Sequence, residues 1–313
     1  MRHCQMDGWE GRDVPESGVS SCSAAVNIRY NPRRREGDLA CPANRPTRRR
    51  DGPAADRHLM GWGYPMRFGL ELRFEGDEDD LARVARLAEI GYQYVHLSVD
   101  CLRCGAEPEA YYAVRRSLNR AAVRPEVFSW AMPPGMPLVG DDVHWPATEK
   151  HLALALERIE ETGGQVLAFP AKPGAPIPAD YPVDDAVNQV RYFLGIAADY
   201  AGPIGIALGD LLHSPEDADE SAPGAAELLR LLGRPEIRLL LEGPWSQESV
   251  PTELDVTRVA QAIVCGDEPD RLAEWVMSLA RTGYAGRVTV RLTDLNESAA
   301  SDALEAARRV RGA

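Results

Sequence analysis

The chain has 313 residues, 44% of them hydrophobic and 27% charged, enough apolar side chain for a sizeable core. Its formal charge of −13 is unevenly spread: residues 1–65 hold 11 Arg, no Lys and 8 acids, a net of +3, and the rest hold 24 basic and 40 acidic residues, a net of −16. A body this acidic repels phosphate backbones, so no nucleic-acid partner is expected. With no apolar run near 18 residues, no membrane partner is expected either.

Residues 1–65 show no hydrophobic periodicity and are rich in Gly, Pro, Ser and Arg. The expectation is a disordered Arg-rich tail, because such a composition cannot offset its ordering entropy. Met60 and Met66 offer alternative starts, so the tail also reads as upstream sequence from a mis-assigned start. Six scattered cysteines and the lack of a secretory signal predict a cytoplasmic chain without a disulfide framework.

From Arg67 onward, short aliphatic or β-branched runs alternate with amphipathic segments, the pattern of parallel βα units. Strands are predicted at 67–74, 94–99, 124–129, 165–169, 204–208, 237–241, 259–264 and 287–292. Helices are predicted over 77–90, 108–122, 148–162, 183–201, 225–232, 270–282 and 298–311. Only Ser246 to Arg258, with Pro251 inside, separates strands six and seven, so helix six should be abbreviated. Eight strands in about 250 residues give an α/β (β/α)8 TIM barrel over residues 66–313. The competing doubly wound sheet lacks support, because Phe74-Glu-Gly-Asp77 has no three-glycine phosphate fingerprint.

Successive strand residues face opposite ways, and the apolar set should meet the helices. The polar sets then turn Glu71, Arg73, His96, Ser98, Glu242, Arg291 and Thr293 toward the barrel mouth. A histidine, two carboxylates and two guanidiniums there suit a small polar, anionic molecule, although ion pairs filling the barrel would use the same residues. Trp130, Trp145 and Trp245 all follow strands at this rim, as an apolar lid, a stacking platform or a simple cover. Cys101-x-x-Cys104 has no second pair and reads as coincidence. No Ser-His-Asp order, nucleophile elbow or phosphate loop is present.

Three segments carry a resemblance: Ala88-Glu-Ile-Gly-Tyr-Gln-Tyr-Val95, Glu161-Thr-Gly-Gly-Gln-Val-Leu167 and Leu279-Ala-Arg-Thr-Gly-Tyr-Ala-Gly-Arg-Val288. With them the chain resembles the xylose-isomerase-like barrels, the sugar phosphate isomerase/epimerase group. That resemblance implies a divalent metal (Mn, Mg or Zn), held by carboxylates and histidines at the ends of strands five to eight, and proton transfer through an enediolate. This chain departs at those positions. Gly209 stands where a Glu is expected, Glu242-Gly-Pro-Trp245 replaces the Asp-x-x-His pattern, strand seven has no His, and Arg291 replaces a Glu. Any retained metal would fall to Asp210, Glu242 and His213; the alternative is no cofactor. The expected activity is an isomerase or epimerase of a sugar-like or anionic hydroxycarbonyl compound. Glu242 would be its acid/base, His96 a partner or carbonyl polariser, and Arg291 the anion clamp, with Glu71, Arg73, Ser98, Trp130 and Trp245 against the substrate. The alternatives are a non-catalytic barrel that binds a small molecule or a protein, and a lyase or cyclase at the same mouth. Assembly into a homo-oligomer stays open.

Overall fold

A computed structural model gives the fold, and it describes residues 66–172, 174–214, 222–243 and 255–309; the expected tail and Trp245 lie outside them. Eight parallel strands close into a barrel: β1 (Arg67–Leu72), β2 (Tyr94–Ser98), β3 (Pro125–Ser129), β4 (Val166–Phe169), β5 (Gly205–Leu208), β6 (Ile237–Gly243), β7 (Val259–Cys265) and β8 (Arg287–Arg291). Each pairs with its sequence neighbours, and β8 closes on β1 through Arg67↔Arg287 and Gly69↔Thr289.

Among the described residues seven helices wrap the barrel: α1 (Glu78–Ile90), α2 (Pro108–Arg120), α3 (Trp145–Thr162), α4 (Val183–Tyr200), α5 (Ala225–Leu232), α6 (Pro269–Arg281) and α7 (Glu297–Arg309). Between β6 and β7 the described residues hold only the 3-10 turn Val256–Arg258. Local chemistry sets the helix ends. The Asp77 carboxylate caps α1 by accepting from the Asp80 amide at 2.8 Å, and Gly91 ends it at φ 107. Helix α3 starts three residues before the sequence expectation because His144 Nδ1 caps it, accepting from Ala147 N at 3.2 Å. Among the described residues no helix is long and apolar enough to cross a membrane.

The strand register fixes which side chains fill the barrel. Glu71 pairs across with His96, Val127 with His96 and Val166, Gly205 with Val166, Ala207 with Arg238, Leu240 with Gln261, and Gln261 with Arg287. Cross-strand partners share a face, so these positions form the inner wall. Its middle layer is a buried polar cluster in which the Tyr94 hydroxyl lies 3.1 Å from Thr289 Oγ1 and Gln261 Nε2 donates to both, at 3.2 and 2.8 Å. The Tyr94 ring packs over Gly69, where any Cβ would sit 2.2 Å from it. Below, Glu126 accepts both guanidinium nitrogens of Arg67, at 2.6 and 2.7 Å, and Nε of Arg287 at 2.8 Å. The barrel floor is thereby plugged, and the open end is the mouth formed by the C-terminal ends of the strands.

Candidate functional site at the barrel mouth

Above the Tyr94 layer, five strands bring charged or polar groups together. Arg291 at the end of β8 donates through Nε to Glu71 Oε2 of β1 at 2.7 Å, and its Nη1 lies 3.8 Å from Glu242 Oε1 of β6. His96 of β2 is completely buried; its Nδ1 is 4.0 Å from Glu71 Oε2 and its Nε2 is 2.6 Å from Ser129 Oγ of β3. Glu71, His96, Arg291 and Glu242 therefore sit where strand alternation put them. Ser129 also faces inward, two residues beyond Val127, and the sequence reading passed over it.

The Glu242 carboxylate leans toward β4 and β5. Its Oε2 accepts from the Ala171 amide at 2.6 Å, and a Cβ on Gly209 would lie 2.6 Å from the same oxygen. The carboxylate thus uses room that a side chain at 209 would take. A two-residue ribbon, Ala175–Pro176 against Leu212–His213, ties together the loops around it. Burial pushes the Glu242 carboxyl above the ordinary range; the Ala171 amide and Arg291 oppose that shift, and Glu71 and Asp210 add to it. Burial also pushes His96 down to about 4, with Glu71 opposing and Arg291 reinforcing. The imidazole is therefore neutral near pH 7.

A cavity of about 730 Å³ opens at this mouth. Its lining includes four arginines (Arg73, Arg83, Arg103 and Arg291), three carboxylates (Glu71, Glu75 and Asp100), Ser98 and Ser129. Arg73 pairs with Glu75 at 3.1 Å, and Arg103 pairs with Glu75 as well. Arg103 sits at φ 54, and its carbonyl accepts from the buried Arg158 at 2.7 Å. Neither Glu242 nor His96 is among the lining residues.

The other candidates make no contact with the Arg291 cluster, although Ser98, Cys101 and Thr293 line the cavity. Trp130 is 3% exposed and packs against His151, Phe169 and Phe193, facing the helices because its neighbour Ser129 faces inward. Trp145 opens α3 and meets Tyr192 edge-on at 4.7 Å. Ser98 caps the 3-10 turn Val99–Leu102 by accepting from Asp100 N at 3.2 Å, and Thr293 bonds Asp267 through both its amide and its hydroxyl. Cys101 and Cys104 are free thiols, and burial raises both.

The described residues do not fit a resident divalent metal. Among the described residues no three His, Cys, Asp or Glu side chains group as ligands. The Asp210 carboxylate accepts from Ala225 N at 2.8 Å, at the start of α5, and His213 Nε2 contacts the Ala171 carbonyl oxygen. The remaining carboxylates, Glu71 and Glu242, flank the Arg291 guanidinium, whose fixed positive charge repels a cation between them.

No protein-family model and no curated protein sequence matches the chain. Solved structures do match. D-allulose 3-epimerase from Methylomonas sp. is 16% identical at a TM-score of 0.56, covering 80% of this chain and 100% of its own. The 3-keto-D-glucoside 4-epimerase from E. coli is 12% identical at 0.56, covering 79% and 100%. A xylose isomerase domain protein from Alicyclobacillus acidocaldarius is 16% identical at 0.52, covering 78% and 97%. At these identities the likeness is one of fold: the chain shares the (β/α)8 barrel of these proteins.

Proposed function

We propose that the barrel mouth moves a proton at a carbon beside the carbonyl of a small anionic hydroxycarbonyl compound, as an isomerase or epimerase without a metal. One observation carries the reading: the Glu242 carboxyl, its pKa raised by burial, lies 3.8 Å from an arginine whose other side is held by a second carboxylate. Raising a carboxyl's pKa makes it a stronger base in its ionised form and keeps it able to return the proton. Arg291 supplies the positive charge that steadies a carboxylate substrate or the oxyanion of an enediolate. Glu242 takes the carbon-bound proton and returns it to the same or the adjacent carbon, while Glu71 keeps the guanidinium in place. His96 reaches the cavity through the Ser129 hydroxyl. The neighbours of like fold, which are epimerases of ketoses and keto-glycosides by name, support the same reaction class.

The test is solvent deuterium incorporation into phosphorylated ketoses and 2-keto sugar acids, followed by proton NMR. Enzyme-dependent exchange that Glu242→Gln abolishes supports the proposal. Binding without exchange favours a second reading, a barrel that holds an anion without turning it over. That reading draws on the four arginines of a cavity that Glu242 does not line.

A further inference from the structure

Glu71, His96 and Ser129 lie on three adjacent strands, β1, β2 and β3; Glu71 and His96 are register partners, and Ser129 stands one inward position farther along β3, opposite Ser98. Ser129 lines the cavity, its Oγ is 2.6 Å from His96 Nε2, and the imidazole is fully buried behind it. His96 Nδ1 is a buried nitrogen without a hydrogen-bond partner, and it stands 4.0 Å from Glu71 Oε2. A carboxylate facing Nδ1 favours the tautomer with the proton on that nitrogen, which leaves the Nε2 lone pair to accept the Ser129 hydroxyl proton. This is the polarity by which an imidazole activates a serine, and such sites are recognised by geometry and not by chain order. Reading the sequence for a Ser-His-Asp order could not find it, because here the order is Glu, His, Ser.

We propose that Ser129 is a nucleophile, with His96 as its general base and Glu71 as the residue that positions His96. The substrate class is a small carboxylic ester or lactone bearing an anionic group. Ser129 Oγ bonds to the acyl carbon while its proton passes to His96 Nε2. The bond from that carbon to the leaving oxygen then breaks, and the leaving oxygen takes the proton from Nε2. Water releases the acyl group by the same route: its proton goes to Nε2, its oxygen bonds the acyl carbon, the bond from that carbon to Ser129 Oγ breaks, and Oγ recovers the proton from Nε2. In the free protein Glu71 is held by Arg291 at 2.7 Å. An anionic substrate that draws the guanidinium toward itself leaves Glu71 free to close on Nδ1, which couples the arginine-lined cavity to activation of the serine.

The full 313-residue chain, treated with an alkyl fluorophosphonate, tests this directly. The P–F bond breaks, fluoride leaves, a Ser129 O–P bond forms and the serine proton goes to His96. Expected is one adduct per chain, mapped to Ser129 by peptide mass, forming about 100-fold or more faster than in the urea-unfolded chain. Ser129→Ala removes it and His96→Gln slows it by a similar factor. Because a buried histidine variant can fail to fold, Glu71→Gln is the second variant. It should slow labelling roughly tenfold or more with an unchanged circular dichroism spectrum, and Glu71→Asp should restore most of the rate. Labelling no faster than in the unfolded chain overturns the proposal, as does an adduct on another residue or a folded Glu71→Gln protein that labels at the wild-type rate. The readout does not involve carbon–hydrogen exchange, so its outcome is separate from that for Glu242.

Discussion

Arg291→Met removes a guanidinium that two carboxylates share while keeping most of the side-chain volume. In the wild type Nε lies 2.7 Å from Glu71 and Nη1 lies 3.8 Å from Glu242, and the three side chains are 20%, 28% and 8% exposed. Unit charges about 4 Å apart attract by about 4 kcal/mol at an effective dielectric near 20. Water can reach Glu71 in the variant and recover part of this, whereas Glu242 stays buried, so a loss of about 2–4 kcal/mol is expected at pH 8. The sign of its pH dependence follows from Glu242. Its folded-state pKa is already raised, so its ionisation costs stability as pH rises through the folded value. Without Arg291 that value climbs further, and acid relieves the penalty by protonating the carboxyl. Urea unfolding followed by tryptophan fluorescence should therefore show a larger deficit at pH 8 than at pH 5. A deficit below about 1 kcal/mol at pH 8 would refute the charge sharing, and so would one that grows on acidification.

Three further outcomes follow from the same geometry. His96 is depressed from 6.5 to about 4, so it contributes stability that is complete above the unfolded value and is lost as pH falls toward the folded one. That contribution is on the order of 3 kcal/mol, and a folded His96→Gln variant should lose correspondingly less stability than wild type between pH 7 and pH 4.5 in urea titrations. Gly209→Ala puts a methyl group 2.6 Å from Glu242 Oε2 and displaces the carboxylate from the Ala171 amide. It should cost about 1.5–3 kcal/mol in the same assay and lower deuterium exchange, and unchanged stability would show that the carboxylate has room to spare. Tyr94→Phe leaves Gln261 and Thr289 bonded to each other at 2.8 Å, so calorimetry should register a loss of only about 1 kcal/mol.

Alternation along the strands carried much of the site. It turned Glu71, His96, Glu242 and Arg291 inward because the opposite positions are aliphatic and meet the helices. The same rule puts Trp130 outside, since Ser129 before it faces in; reading the tryptophans by position after strands missed this. The Ser129–His96 contact depends on how far β3 is displaced along β2, where the register shifts between Val95 and His96, and no pattern within one strand encodes that offset. The Ala171 amide comes from a loop, and a backbone donor leaves no mark in side-chain identity. Asp210 and His213 were named as conditional metal ligands because their types suit the task, yet loop geometry turned one to the start of α5 and the other to a carbonyl oxygen.

The central proposal is that Arg291, flanked by Glu71 and Glu242, supplies the positive charge of the site without a metal. It is tested most directly by deuterium exchange on chelator-treated protein, with Arg291→Met measured beside it. Wild-type exchange should survive chelation, and Arg291→Met should abolish it. Exchange that vanishes on chelation and returns with added manganese would contradict it.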